Sequence, residues 1–111
     1  MASADGYAVI IEKTLCDLAK SYGSYGDIRT MMMFDRTRGQ FLLIDEGWEG
    51  YKRIYSVWAH VELAEDRLRI HEDGTEVGIA NLLVQAGVPK QNIVLAFHAP
   101  SLRSATEFAA A

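Results

Sequence analysis

The sequence predicts an α+β fold: an N-terminal helix, a four-stranded antiparallel meander sheet, then a second helix and a short C-terminal extended segment. Three observations carry it. Apolar residues recur at helical spacing near the start, the middle of the chain alternates with a period of two and pairs with itself at hairpin turns, and helical spacing returns before a Gly-Val-Pro break. At 111 residues, half of them hydrophobic, the chain suits one compact domain over residues 1–111.

In the first helix, over residues 7–22, Ile11, Leu15, Leu18 and Tyr22 line one face. Glu12, Lys13, Asp17 and Lys20 take the other. Gly23 and Gly26 stop it, because glycine reaches the left-handed conformation cheaply. Residues 1–6 and 109–111 are expected to fray.

Two hairpins have registers that can be tested by their pairs. A turn at Glu49 and Gly50 sets Glu46 against Arg53, Ile44 against Tyr55 and Leu42 against Val57. A turn at Glu65 and Asp66 sets Leu63 against Leu68, Glu62 against Arg69, Val61 against Ile70 and His60 against His71. Both match apolar with apolar and join opposite charges. The predicted core face carries Leu42, Ile44, Tyr55, Val57, Ala59, Val61, Leu63, Leu68 and Ile70 and, through a loop at 36–39, Met31 and Met33. Met32, Phe34, Phe41, Leu43, Ile54 and Trp58 fall on the second face beside Asp45, Ser56 and His60. So many large apolar groups need a cover, from the C-terminal segment or another chain, and this points to a homo-oligomer or a protein partner.

The stretch HEDGTEVGIA, residues 71–80, gathers a histidine and three carboxylates. Asp73 followed by Glu76 has the spacing of a capping box, with Thr75 an alternative cap. Acids here also suit the positive end of a helix dipole. Val77, Ala80, Leu83 and Val84 continue the helix to Ala86, where Gly87, Val88 and Pro89 break it. Residues 89–92 form one turn, and the apolar run 93–97 is a short extended element.

Several classes of function are disfavoured. The lone Cys16 excludes an internal disulfide and a cysteine-based zinc site, and its place on the apolar side of the helix marks a buried thiol. Six acids between residues 60 and 76 (Glu62, Glu65, Asp66, Glu72, Asp73, Glu76) against Arg67 and Arg69 account for the whole net charge of −4. No basic face is visible, so direct nucleic acid binding by the chain alone is not expected. No apolar run has the ~20 residues of a membrane helix, which sets the expectation of a cytoplasmic protein. Gly23, Ser24, Tyr25 and Gly26 have the wrong spacing for a nucleophile elbow, and the GxxxxGK[ST] and GxGxxG patterns are missing. No cofactor is called for.

Two constellations remain. His60 and His71, opposed on the non-core face, could share a metal if Asp73 or Glu62 swung in as a third ligand, which would make a metal-dependent hydrolase or nuclease. The competing reading is an ordinary solvent-facing pair. His98 ends a buried run, where a histidine usually satisfies a hydrogen bond at the rim. The functional alternative joins His98 with Pro100, Glu107 and Phe108, and with Trp58 of the sheet, as a partner surface of mixed aromatic and polar character.

The runs YGDIRTMMMFD, GWEGYKRIYSVWAHVEL and DGTEVGIANLLVQAGVPKQNIVLAFHAP, with TEF near the end, together resemble the XisI family, the fdxN element excision controlling factors of cyanobacteria. The likeness extends over residues 7–108. It implies an α+β fold, no established catalytic activity, and an accessory, regulatory role in programmed excision of a DNA element during heterocyst development. It also implies action beside an XisH-like companion and a separate recombinase. His71 and Glu72 stand where more neutral residues precede DGTE, and Ala105 takes an aromatic position before TEF.

Overall fold

The computed structural model describes residues 4–22 and 24–111, with backbone alone for Ala4 and Asp5. Helix α1 (Ala4–Tyr22) leads into strands β1 (Ile28–Asp35), β2 (Gln40–Glu49), β3 (Lys52–Ala64) and β4 (Arg67–Asp73). Helix α2 (Ile79–Gln85), a 3-10 turn (Lys90–Asn92), β5 (Ile93–Leu95) and the single-turn α3 (Pro100–Arg103) follow. The expected fraying of residues 1–6 falls partly outside the described residues, as does the helix stop at Gly23. No described helix is long and apolar enough to cross a membrane.

The fold class is α+β, but the sheet has five strands in the order β1-β2-β3-β4-β5. The first four form the expected meander. The C-terminal extended segment is the fifth, joining parallel to β4 with Leu68 opposite Ile93 and Ile70 opposite Leu95. A parallel neighbour requires a crossover, and α2 supplies it.

The β3–β4 hairpin has the predicted register at Leu63/Leu68, Glu62/Arg69 and Val61/Ile70. Glu65 and Asp66 both adopt positive φ, 54° and 61°, as the favoured two-residue hairpin turn requires. A register shift beyond Val61 then sets His60 against Glu72 instead of His71.

The β2–β3 hairpin differs. Gly50 and Tyr51 make the turn, so Glu46 faces Tyr55, Ile44 faces Val57 and Leu42 faces His60. Gly50 takes the first central position at φ 63°, the place a Gly-X turn reserves for glycine. A second shift, between Leu43 and Ile44, puts Ala59 opposite Leu43 and Val57 opposite Ile44, leaving Trp58 as the extra residue of a bulge. The bulge breaks the period of two in β3. Ala59 and Val61 are therefore fully buried while Val57 is exposed.

The predicted face assignment is thus reversed for β1 and β2. Phe41 and Leu43 are fully buried beneath α1 and α2, whereas Met33 and Tyr55 are exposed and Leu42 is half-buried. The face expected to need a cover is the one the helices cover. Tyr7, Ile11, Leu15 and Leu18 of α1 and Ile79 and Leu83 of α2 close the core over Phe41, Leu43, Val61, Leu68 and Ile70. Tyr22, the last of the predicted stripe, is half-exposed.

Helix α2 is shorter than expected and starts at Ile79, with Val77 exposed. It ends in a Schellman arrangement. The Gly87 amide donates to the Val84 carbonyl and that of Val88 to Leu83, with Gly87 at φ 106° and Val88 buried.

Candidate functional site

The expected cap of α2 takes a different form from a capping box. Asp73, the last residue of β4, accepts from the Thr75 amide and hydroxyl through Oδ1 (2.9 and 2.6 Å) and from the Ile79 amide through Oδ2 (2.8 Å). Thr75 Oγ1 accepts from the Gly78 amide at 3.1 Å. One carboxylate thereby ties the strand end to a helix six residues on. Among the described residues Glu76 makes no bond to these amides, because the helix begins beyond its reach.

His60 and His71 do come together on the open face of the sheet, with ring centroids 4.8 Å apart. His71 Nε2 donates to Glu62 Oε1 at 2.8 Å. The other carboxylate oxygen accepts from the Gln40 side-chain amide at 3.2 Å, and the Gln40 carbonyl oxygen accepts from His60 Nε2 at 2.7 Å. An amide oxygen and a carboxylate only accept, so both imidazoles turn an N–H inward. Burial lowers the His60 pKa, helped by His71 and opposed by Glu62. The hydrogen bond from His71 lowers that of Glu62.

This lattice corrects the metal-site alternative. Of the two expected third ligands, Asp73 is spent on the Thr75 and Ile79 amides and Glu62 is held by His71 and Gln40. Among the described residues no group of three or more His, Cys, Asp or Glu side chains is arranged to hold a metal ion. A hydrolase or nuclease centred on His60, His71 and Asp73 is not supported.

Sequence reasoning missed a second polar cluster behind the bulge. Trp58 Nε1 donates to Asp45 Oδ1 at 2.9 Å, Thr30 Oγ1 donates to the same oxygen at 2.8 Å, and Tyr22 packs edge-on against the indole at 6.2 Å. Cys16 is half-buried, its thiol 3.6 Å from the Met32 sulfur. Between α1 and α2 runs an open cleft of about 710 Å³, lined by Val9, Ile10, Leu18, Tyr22, Val77 and Leu82, with the Lys13–Asp17 ion pair also on its wall. Thr14, Ser21 and Gln85 complete the polar part of its lining.

The C-terminal residues form a compact corner. His98 is half-buried beside the Phe97 ring, 4.6 Å between centroids. Its carbonyl accepts from Arg103 Nε at 3.1 Å, and Arg103 also reaches the Ala96 carbonyl. Pro100 is exposed at the first turn of α3, Glu107 pairs with Lys90 at 3.2 Å, and Phe108 packs against the core. Ala109, expected to fray, is buried and donates to the Ile93 carbonyl at 2.8 Å. Trp58 packs against the core and against Tyr22, donates to Asp45 and accepts from the Gly74 amide through its carbonyl at 2.7 Å.

Fold and surface together define a small α+β protein in which helices cover one side of a sheet and hydrogen bonds engage His60, His71, Glu62 and Asp73. Residues 1–110 match the XisI family, described as XisI protein, and the chain belongs to that family. Two solved structures from Anabaena variabilis ATCC 29413 are similar to it. A XisI-like protein is 28% identical, with a TM-score of 0.92 over 98% of this chain and 100% of the other. The fdxN element excision controlling factor XisI is 31% identical, with a TM-score of 0.75 over 95% and 99%. No curated protein sequence matches the chain.

Proposed function

We propose that this XisI family member is a non-enzymatic accessory factor that acts by contact with an XisH-like protein in programmed excision of a DNA element. The observation that carries the reading is the match over residues 1–110, joined to an excision controlling factor 31% identical over nearly the whole chain. Two further features support it. The carboxylates and histidines that would serve catalysis are engaged in capping and in the Gln40–Glu62 lattice, and the chain carries a net charge of −4, which does not favour gripping phosphates unaided.

The contact surface we assign is the C-terminal corner, with His98, Pro100, Glu107 and Phe108. Trp58, bonded to Asp45 and packed on Tyr22, supports the fold behind the sheet. Co-expression with an XisH-like protein followed by size-exclusion chromatography tests the reading. Co-elution at micromolar concentration is expected, with Glu107→Lys or His98→Ala weakening it more than Lys13→Ala. Separate elution argues against the partner, and equal weakening by all three argues against the surface.

A further inference from the structure

A sheet has two edges, and here they are treated unequally. The β5 edge is three residues long and closed by the chain's own tail, through the Ala109 amide on the Ile93 carbonyl and a bridge between Val94 and Ala109. The β1 edge is eight residues long. Its first part is also closed: Ile28 exchanges both main-chain bonds with Tyr25, and the Thr30 amide donates to Ser24 Oγ at 3.3 Å.

Those bonds reveal which groups face outward. The Ile28 and Thr30 amides point away from β2, so by the alternation of a strand the amides and carbonyls of Met32 and Phe34 do too. Among the described residues nothing bonds to them. The usual protections of an exposed edge are proline, lysine and bulges. The strand sequence IRTMMMFD has no proline or lysine, and β1 pairs with β2 without a bulge. Met32 and Met33 are half-exposed.

From these features we infer that β1 pairs antiparallel with β1 of a second copy of this chain, about a two-fold axis at Met33, joining the two sheets into one. The open length fixes the register. Ser24 and Tyr25 block the lane beside residues 28–30, leaving residues 31–35, whose centre is Met33. Met32 of each chain then exchanges two main-chain bonds with Phe34 of the other, with sulfur against ring on the helix side. Two Met33 side chains meet on the open face. Asp35, already paired with its own Arg38 at 2.9 Å, ends the contact without an unbalanced charge. This inference concerns the chain alone and does not depend on an XisH-like partner.

Sedimentation velocity of the full chain from about 1 to 200 µM should show a concentration-dependent dimer, weak because the shared edge is short. Met32→Pro removes only an outward amide and should leave a monomer with unchanged far-UV circular dichroism. If that variant misfolds, Met33→Lys, which sets like charges against each other across the axis, should give the same result. In a Cys16→Ser background, Met33→Cys should cross-link under mild oxidation, since opposed residues of a non-hydrogen-bonded pair lie about 4.5 Å apart. A monomer at every concentration overturns the inference. So does a dimer unmoved by Met33→Lys, or cross-linking through Val57→Cys in place of Met33→Cys, which would put the contact on the open face.

Discussion

Glu62 accepts from His71 across 2.8 Å on the open face of the sheet, and the same carboxylate holds Gln40, which in turn accepts from His60. The relationship has a pH signature. His60 is depressed below its ordinary 6.5, chiefly by burial, and Glu62 below 4.5, chiefly by the His71 bond. A depressed group binds protons less readily folded than unfolded, so its contribution is complete above the unfolded value and is lost as pH falls through the folded one. Thermal stability should hold above pH 7 and decline on acidification in two stages, the first below 6.5 from His60 and the second below 4.5 from Glu62 together with Glu12, Asp35 and Glu46, which their arginine partners also hold low. His60→Gln should remove the first stage in a series of melting curves, and an unchanged profile would exclude this assignment.

Leu43 and Leu42 are neighbours with opposite fates, one fully buried under the helices and the other half-buried on the open face. Leu43→Ala should cost about 2–5 kcal/mol in urea denaturation, as a core cavity does, and Leu42→Ala about 1 kcal/mol. The reverse order would restore the face assignment that unbroken alternation predicts.

A methyl group on Gly39 would run into the Leu63 carbonyl, and the residue sits at φ +68°. Gly50 has nearly the same dihedral, +63°, with open space around it. Gly39→Ala should therefore cost about 3 kcal/mol or more, combining backbone strain with displacement of β3, and Gly50→Ala about 1 kcal/mol. Equal losses in chemical denaturation would show that the close approach carries no weight.

Asp73→Ala removes the acceptor of the Thr75 and Ile79 amides and should cost about 1–3 kcal/mol. Glu76→Ala should stay within about 0.5 kcal/mol. Comparable effects in paired unfolding curves would indicate that a capping box forms in solution.

These contrasts show what could be read from the residues. The β3–β4 hairpin was legible because Glu65 and Asp66 fit one turn, and the apolar and charged pairs then agree. The β2–β3 hairpin was not, since a glycine in second or first central place gives registers whose partners differ by two residues, so the facing pattern is unchanged and each pairs plausible partners. The bulge at Trp58 compounds this, because an extra residue leaves no mark in composition yet inverts every face beyond it. The Asp73 cap was legible in its residue type but not in its span, since a carboxylate reaching six positions onward leaves no local spacing signature. The proximity of His60 and His71 was foreseen, although the shift that sets His60 against Glu72 was not, and Gln40, arriving from β2, had no signal along the chain.

The parallel docking of β5 also orders events in time. Strands β1 to β4 meet through adjacent hairpins, whose short loops close within microseconds, but Ile93 must find Leu68 across a far longer stretch of chain, a closure that raises contact order and slows assembly. During synthesis the meander can pair as it emerges, whereas the last strand and the Ala109 segment that seals it are made later and dock onto β4 only afterwards. Until then the nascent chain carries a second raw border, and crowding at that stage favours mispairing there.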